Sequence, residues 1–321
     1  MREISEEFAQ KLRNNVLFEL YQKHKNELFL GVRDNRINLY YNALSVCEAR
    51  MNKKGIIFCK TSSKYLGKDG KNRLLAVSDT FICDNYSAIK GIMQDVYGSK
   101  NKEKWAQQEL VLRNNQNTSS NWYCIDMEYA RENKAKAGRI DIIALSKAEP
   151  HRVAIIEVKY NLGAINGSSG VKKHVSDFYD IIRLQDSSNE FKSYIMEDIV
   201  GIVESMNRIF KSEYPLQLKG ISDMKDEPEF YFITLDNNPL TQKHTTPKMT
   251  MGGYVFNKDN PKYIKTGTRR QTTIGTVESE FGDITDPAND KLYAHFLFSK
   301  DVVGGITITD IIDDKSYDRG F

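Results

Sequence analysis

Apolar residues recur along this chain with two periods that alternate in blocks. Over 5–24 the residues Phe8, Leu12, Val16, Leu20 and Tyr21 fall at helical spacing and Ser5 is a suitable cap, which predicts one amphipathic helix lying on a sheet. The period then shortens. Segments 28–32 and 37–46 read as strands, the second alternating through Ile37, Leu39, Tyr41, Ala43 and Ser45, with Asp34-Asn35 as a hairpin turn. Segments 55–58 and 74–77 continue that sheet on either side of a polar loop carrying Lys60, Lys64, Lys68, Lys71 and Arg73, which reads as solvated surface or as a contact for a phosphate backbone. Segment 81–97 leads by helix or loop into the centre of the chain.

The centre repeats the alternation more strongly. A helix over 102–113 is predicted by Trp105, Glu109 and Leu112 at i, i+4 and i+7, which turns Glu109 toward a sheet. Segment 122–129 alternates as a strand, with Trp122, Cys124, Asp126 and Glu128 on one face and Tyr123, Ile125, Met127 and Tyr129 on the other. Two apolar runs follow, 140–145 and 153–158, joined by a polar turn that contains Pro150. A second helical stripe, Val171, Val175, Phe178 and Ile182, carries Lys172, Lys173 and His174 in its first turn. Lysines there oppose the helix dipole, which is tolerable where a phosphate binds. A third stripe runs through Ile195, Ile199, Ile202, Met206 and Ile209, and 229–235 reads as another strand. Beyond it, 241–270 interleaves Lys248, Lys258, Lys262, Lys265, Arg269 and Arg270 with Tyr254, Phe256 and Tyr263, a composition that suits nucleic-acid contacts or plain surface. Segments 294–299 and 302–308 read as short strands.

Three charges interrupt the apolar runs at the centre. Asp141 sits inside the first, while Glu157 and Lys159 close the second, two apart and so on one face of the pleat. Strands this apolar are expected to be covered on both faces, where an unpaired charge costs several kcal/mol. Two carboxylates on adjacent strands can hold a hard cation such as magnesium, and a neighbouring lysine can orient or deprotonate a water. The bland alternative is an inter-strand ion pair of Lys159 with a carboxylate.

Asp141 followed by Glu157-Val158-Lys159 resembles the motif of the PD-(D/E)xK nuclease superfamily, an acid on one strand and acid-x-lysine on the next. The resemblance covers the middle third of the chain. It implies an α+β fold with a restriction-endonuclease-like core in the order α-β-β-β-α-β, a mixed sheet flanked by helices, to which an N-terminal α+β region is added. It also implies that Asp141, Glu157, the Val158 carbonyl and Glu109 hold Mg2+ or Mn2+, that Lys159 positions the attacking water, and that Lys172, Lys173 and Arg139 approach nucleic acid. Asp126 and Glu128 would enlarge the acidic cluster or lie on a solvated edge.

Length and composition leave room for this reading. At 321 residues, 40% hydrophobic and 28% charged, the chain has the balance of a soluble globular protein with a full core. The expected division is an accessory region over 1–100, a nuclease core over 101–240 and an extension over 241–321 that packs on the core. A net charge of +3 neither demands nor excludes a polyanionic partner. Cys47, Cys59, Cys83 and Cys124 lack C-x-x-C spacing and the start carries no apolar signal region, so a cytoplasmic location is expected. No apolar run approaches membrane-spanning length. The five histidines stand alone in sequence and are not expected to be ligands. The functional expectation is a divalent-metal-dependent endonuclease acting on double-stranded DNA in restriction or antiviral defence, where double-strand cutting would favour a homodimer. A nuclease-like module that binds nucleic acid or protein without catalysis is the alternative.

Overall fold

A computed structural model describes residues 2–67, 73–97, 101–130, 139–160, 174, 194–226, 228–235, 254–256, 294–298 and 308. Among them are two sheets and five helices in a mixed α+β arrangement. The chain opens with α1 (Glu6–Arg13) and α2 (Val16–Lys23) rather than one continuous helix. The break falls at Asn14-Asn15, where the Asn15 side chain accepts from the Leu17 N–H and starts a new helix. Helical spacing persists through the break because both helices turn their apolar side inward.

Five antiparallel strands follow in sequence order: β1 (Phe29–Arg33), β2 (Arg36–Tyr41), β3 (Leu44–Met51), β4 (Ile57–Ser62) and β5 (Leu74–Val77). The expected strand over 37–46 is two strands, because Asn42 and Ala43 both take positive φ, 50° and 54°, and turn the chain back on itself. Segment 79–97 is a helix throughout, α3 (Asp79–Tyr97), which packs Ile82, Tyr86, Ile89 and Met93 into the main core.

The second sheet has the order β10-β11-β9-β8-β7-β6. After α4 (Lys102–Gln116) come β6 (Trp122–Tyr129), β7 (Ile140–Ser146) and β8 (Val153–Tyr160), paired antiparallel. Helix α5 (Met196–Phe210) leads to β9 (Glu229–Leu235), which lies parallel to β8. Two strands from the last part of the chain, β10 (Tyr254–Phe256) and β11 (Ala294–Phe298), extend the same sheet, β11 parallel to β9. The expected helix over 171–184 lies outside the described residues except for His174, and the expected strand over 302–308 does so except for Ile308, which is helical.

Strands β7 and β8 are covered on both faces, as their apolar runs require. Ile143, Leu145, Val153 and Ile155 join one cluster with α5 and the N-terminal sheet, whereas Ile142, Ala144, Ala154, Ile156 and Val158 join another with α4. The N-terminal sheet is therefore not separately cored. A buried ionic group ties it down: fully buried Asp126 accepts from Arg33 at 2.6 Å and from Arg2 at 2.7 Å, and Arg33 also donates to the Met127 carbonyl and the Tyr40 hydroxyl. No described helix is long and apolar enough to cross a membrane.

Candidate active site

Asp141 and Glu157 are brought together by strand register. Ile142 pairs with Ile156 across β7 and β8, so the next position along places the two acids opposite each other. One Asp141 carboxylate oxygen accepts the Val158 N–H at 2.8 Å, which fixes the acid against the neighbouring strand. Lys159, two residues beyond Glu157 and on its face, donates to Glu157 Oε1 at 2.5 Å. Both are nearly fully buried, and burial of a charge demands such a partner.

The second oxygen of Glu157 is different. Oε2 is buried and has no hydrogen-bond partner among the described residues. A carboxylate oxygen left in this state is costly unless something positive completes it.

The electrostatics agree with a crowded anionic site. Burial and the adjacent Glu157 hold the Asp141 carboxyl well above the usual carboxylate range, against the opposing pull of the Val158 N–H and of Lys159. Burial pulls the Lys159 ammonium down, but Glu157, Glu103 and Asp141 more than offset it and raise it above its ordinary value. Lys159 therefore stays protonated and serves as a cation and donor.

Three further residues border this pair. Gln107 of α4 donates to the Asp141 carbonyl at 2.6 Å. Glu103, one turn earlier, accepts from the Tyr160 N–H at 3.4 Å. His174 Nε2 lies 2.9 Å from Glu157 Oε1 and 3.4 Å from the Lys159 ammonium. Glu103 and Gln107, at i and i+4, thus form the α4 face turned to the site. Glu109, the helix residue expected there, instead accepts from Arg113 at 2.5 Å on another side of the helix. The expected stripe was rotated because α4 buries amides along with its aliphatic residues: Gln107, Gln108 and Asn114 are all covered, beside Ala106, Leu110 and Val111.

The remaining expected residues divide. Arg139 stands at the rim, largely exposed, and pairs with Glu128 at 2.6 Å. Lys172 and Lys173 lie outside the described residues. Glu128 is held by Arg139 and Lys104, and its charge contributes to the raised Asp141 value, so it belongs to the border of the cluster. Its backbone takes φ 57°, a costly conformation for this residue type. Asp126 does not join the cluster, because Arg2 and Arg33 take both its oxygens. The expected alternation of β6 is broken by a bulge between Cys124 and Asp126, which moves Met127 to the face of Trp122 and Cys124. His174 stands alone in sequence and no local motif marks its place here, since it lies fifteen positions from Lys159. Glu103 and Gln107 did carry a signal, their shared helical stripe.

The donor set of Asp141 and Glu157 suits a hard cation. Magnesium is commonly held by one or two carboxylates and keeps several waters, and Glu157 Oε2 is the orphaned oxygen such an ion would complete. Among the described residues no larger group, of three or more histidine, cysteine, aspartate and glutamate side chains, converges to hold a metal. No protein family, no curated protein and no solved structure matches the chain.

Proposed function

We propose that this protein is a divalent-metal-dependent nuclease with a PD-(D/E)xK-type, restriction-endonuclease-like core, acting on double-stranded DNA. One observation carries the reading: Asp141, Glu157 and Lys159 meet at adjacent strands with the buried Glu157 Oε2 left without a partner. The described order α4, β6, β7, β8, α5, β9, with β9 parallel to β8, supports the same core.

Asp141 and Glu157 hold Mg2+ or Mn2+, with the Val158 carbonyl as a further ligand. Held there, a cation would supply Lewis acidity toward the phosphate and the attacking water. Lys159, protonated, orients that water and offsets negative charge gathering on the non-bridging oxygens. Glu103 and Gln107 anchor α4 against the two strand ends and so hold the acids in place. Arg139, at the rim, and Lys172 and Lys173 contribute positive charge toward the phosphate backbone. A restriction or defence role, in a homodimer, is the biological setting this activity fits.

A second reading has its own observation. Glu157 already has Lys159 and His174 as partners, which is what a binding module without catalysis would use to neutralise its acids. The two are separated by incubating wild type and Glu157→Ala with plasmid, single-stranded DNA and RNA in magnesium, manganese or chelator. Metal-dependent cleavage of the plasmid, absent in the variant, is expected. Absence of cleavage together with no rise in melting temperature on adding metal to wild type would leave the binding module as the better reading.

A further inference from the structure

Away from the acidic site, β1 and β6, each an edge strand of its own sheet, come together under α2 and α5. They leave a cavity of about 340 Å³ between them, at the lower end of the range for small-molecule pockets. Its position along β6 separates it from the acids. Tyr123, which lines it, pairs with Leu145, whereas the Asp141 end of β7 pairs at Tyr129 with Ile140. Four residues of β7, from Leu145 to Asp141, put the two roughly 13 Å apart along the strand.

The walls are aromatic. Tyr21, Phe29, Tyr123, Phe210 and Tyr214 all line the cavity, and their rings brace one another: Tyr123 meets Tyr214 edge-on at 5.3 Å and Tyr21 meets Phe210 at 5.8 Å. Such walls accept a flat ring by stacking or edge contact. Three of these side chains end in phenols, and none of the three hydroxyls is hydrogen-bonded to a described residue. The Tyr214 hydroxyl is fully buried in that condition. The three are electrostatically close to one another, and burial pushes Tyr21 up to about 12 and the other two higher. All are donors at any physiological pH.

Charge narrows the ligand. Lys25 lines the cavity but Glu213 lines it too, and no arginine does, so the lining carries no net positive charge for a phosphate chain. The Tyr214 hydroxyl has no accessible surface and is out of a ligand's reach, whereas the Tyr21 and Tyr123 hydroxyls are not enclosed in this way and offer donors that an unsubstituted hydrocarbon would leave unused. What remains is a neutral, planar ring bearing acceptor atoms.

We infer that this cavity is a binding site for a neutral nitrogen heterocycle of nucleobase or nucleoside size, held between the aromatic walls with its acceptors on the Tyr21 and Tyr123 hydroxyls. The ligand bridges the N-terminal sheet and the sheet that bears the acidic site, because Phe29 and Leu30 of β1 and Tyr123 and Cys124 of β6 all line the same space. The inference is independent of the nuclease reading.

The test is calorimetric titration of the full chain with adenosine, guanosine, cytidine and thymidine, and with toluene as an apolar probe of the same width. Saturable binding of at least one nucleoside, tighter than toluene, is expected in wild type and unchanged in Asp141→Ala. Tyr21→Phe and Tyr123→Phe each delete one hydroxyl and no ring. At least one of them is expected to weaken binding about tenfold, the scale of one well-placed hydrogen bond. Tyr214→Phe without ligand is expected to melt no lower than wild type, since the deleted group has no partner to lose. Four results overturn the inference: no nucleoside saturates, toluene binds as tightly, both hydroxyl variants bind like wild type, or Asp141→Ala abolishes binding and so places the nucleoside at the acidic site.

Discussion

At the scale of single residues the acidic pair is under tension that the fold itself creates. The Asp141 carboxyl is raised in the folded state by burial and by Glu157. A group raised on folding favours the native state while it is protonated, and that contribution is lost as pH rises through the raised value. The ionised form at neutral pH is therefore destabilising in the absence of a cation. Asp141→Asn keeps an oxygen for the Val158 N–H and removes the charge, so in chelator at pH 7–8 it should melt above wild type, with the gap closing as pH falls toward 4. Melting curves across that range check it; equal melting at pH 8 would show that the charge carries no penalty. The residues of this site were unevenly legible. Asp141, Glu157 and Lys159 could be read because charges inside β-branched runs violate the surrounding pattern. Glu109 pairs with Arg113 instead, because α4 rests on buried amides as well as on its aliphatic stripe. His174 reaches Glu157 through tertiary folding alone.

At the scale of elements, β6 shows what alternation can and cannot reveal. Its existence and bounds follow from its period, but the bulge between Cys124 and Asp126 brings Met127 to the face of Trp122 and Cys124, while Tyr129 stays on the side of Tyr123 and Ile125. The bulge is held from outside the strand. Asn115 of α4 donates to the Cys124 carbonyl at 2.8 Å and accepts its N–H at 2.8 Å, serving as the missing partner for both main-chain groups. Asn115→Ala should cost about 1–3 kcal/mol, the penalty for leaving buried main-chain groups unpaired. Amide hydrogen exchange would register it as lost protection at Cys124 first, and unaltered exchange there would mean that the ladder alone holds the bulge. Helix α4 works in the same way along its length. Gln108 donates to the carbonyls of Glu27 and Tyr40 and accepts from the Ala43 N–H, and Asn114 donates to the Trp122 carbonyl. Hydropathy treats such amides as surface, so the helix was placed correctly in sequence but turned about its axis.

At the scale of the whole molecule the question is whether residues 1–100 form a unit of their own. The sequence pattern separates them, since their strands are consecutive and antiparallel and their loop is polar. The packing does not. Ile4, Phe8, Leu12, Leu30 and Val32 belong to the same apolar cluster as Ile143, Ile155, Ile199 and Ile202. Removing either side would expose that cluster and strand Asp126 or its two arginines, and breaking a buried ion pair by deleting one partner costs about 3–5 kcal/mol. Thermal unfolding of the full chain is therefore expected as one transition, with far-ultraviolet dichroism and tyrosine fluorescence coincident. Two resolved transitions would restore the accessory region as an independent domain. The sequence could not reveal this union, because the partners of Arg33 and Arg2 are set by three-dimensional proximity.

The place of Arg2 has a consequence for synthesis. Its main-chain N–H bonds to Asp198 and its guanidinium to Asp126, across 196 and 124 residues of chain. Arg2 leaves the ribosome long before either partner. At about 5–20 residues per second the wait for Asp198 is about 10–40 s. The first hairpins of the N-terminal sheet can pair in that interval, since their contacts are local. The apolar inner side of α1 and β1 meanwhile has nothing to lie on. The growing chain therefore carries that apolar surface uncovered for the interval, and slowing elongation between residues 100 and 198 would prolong its exposure.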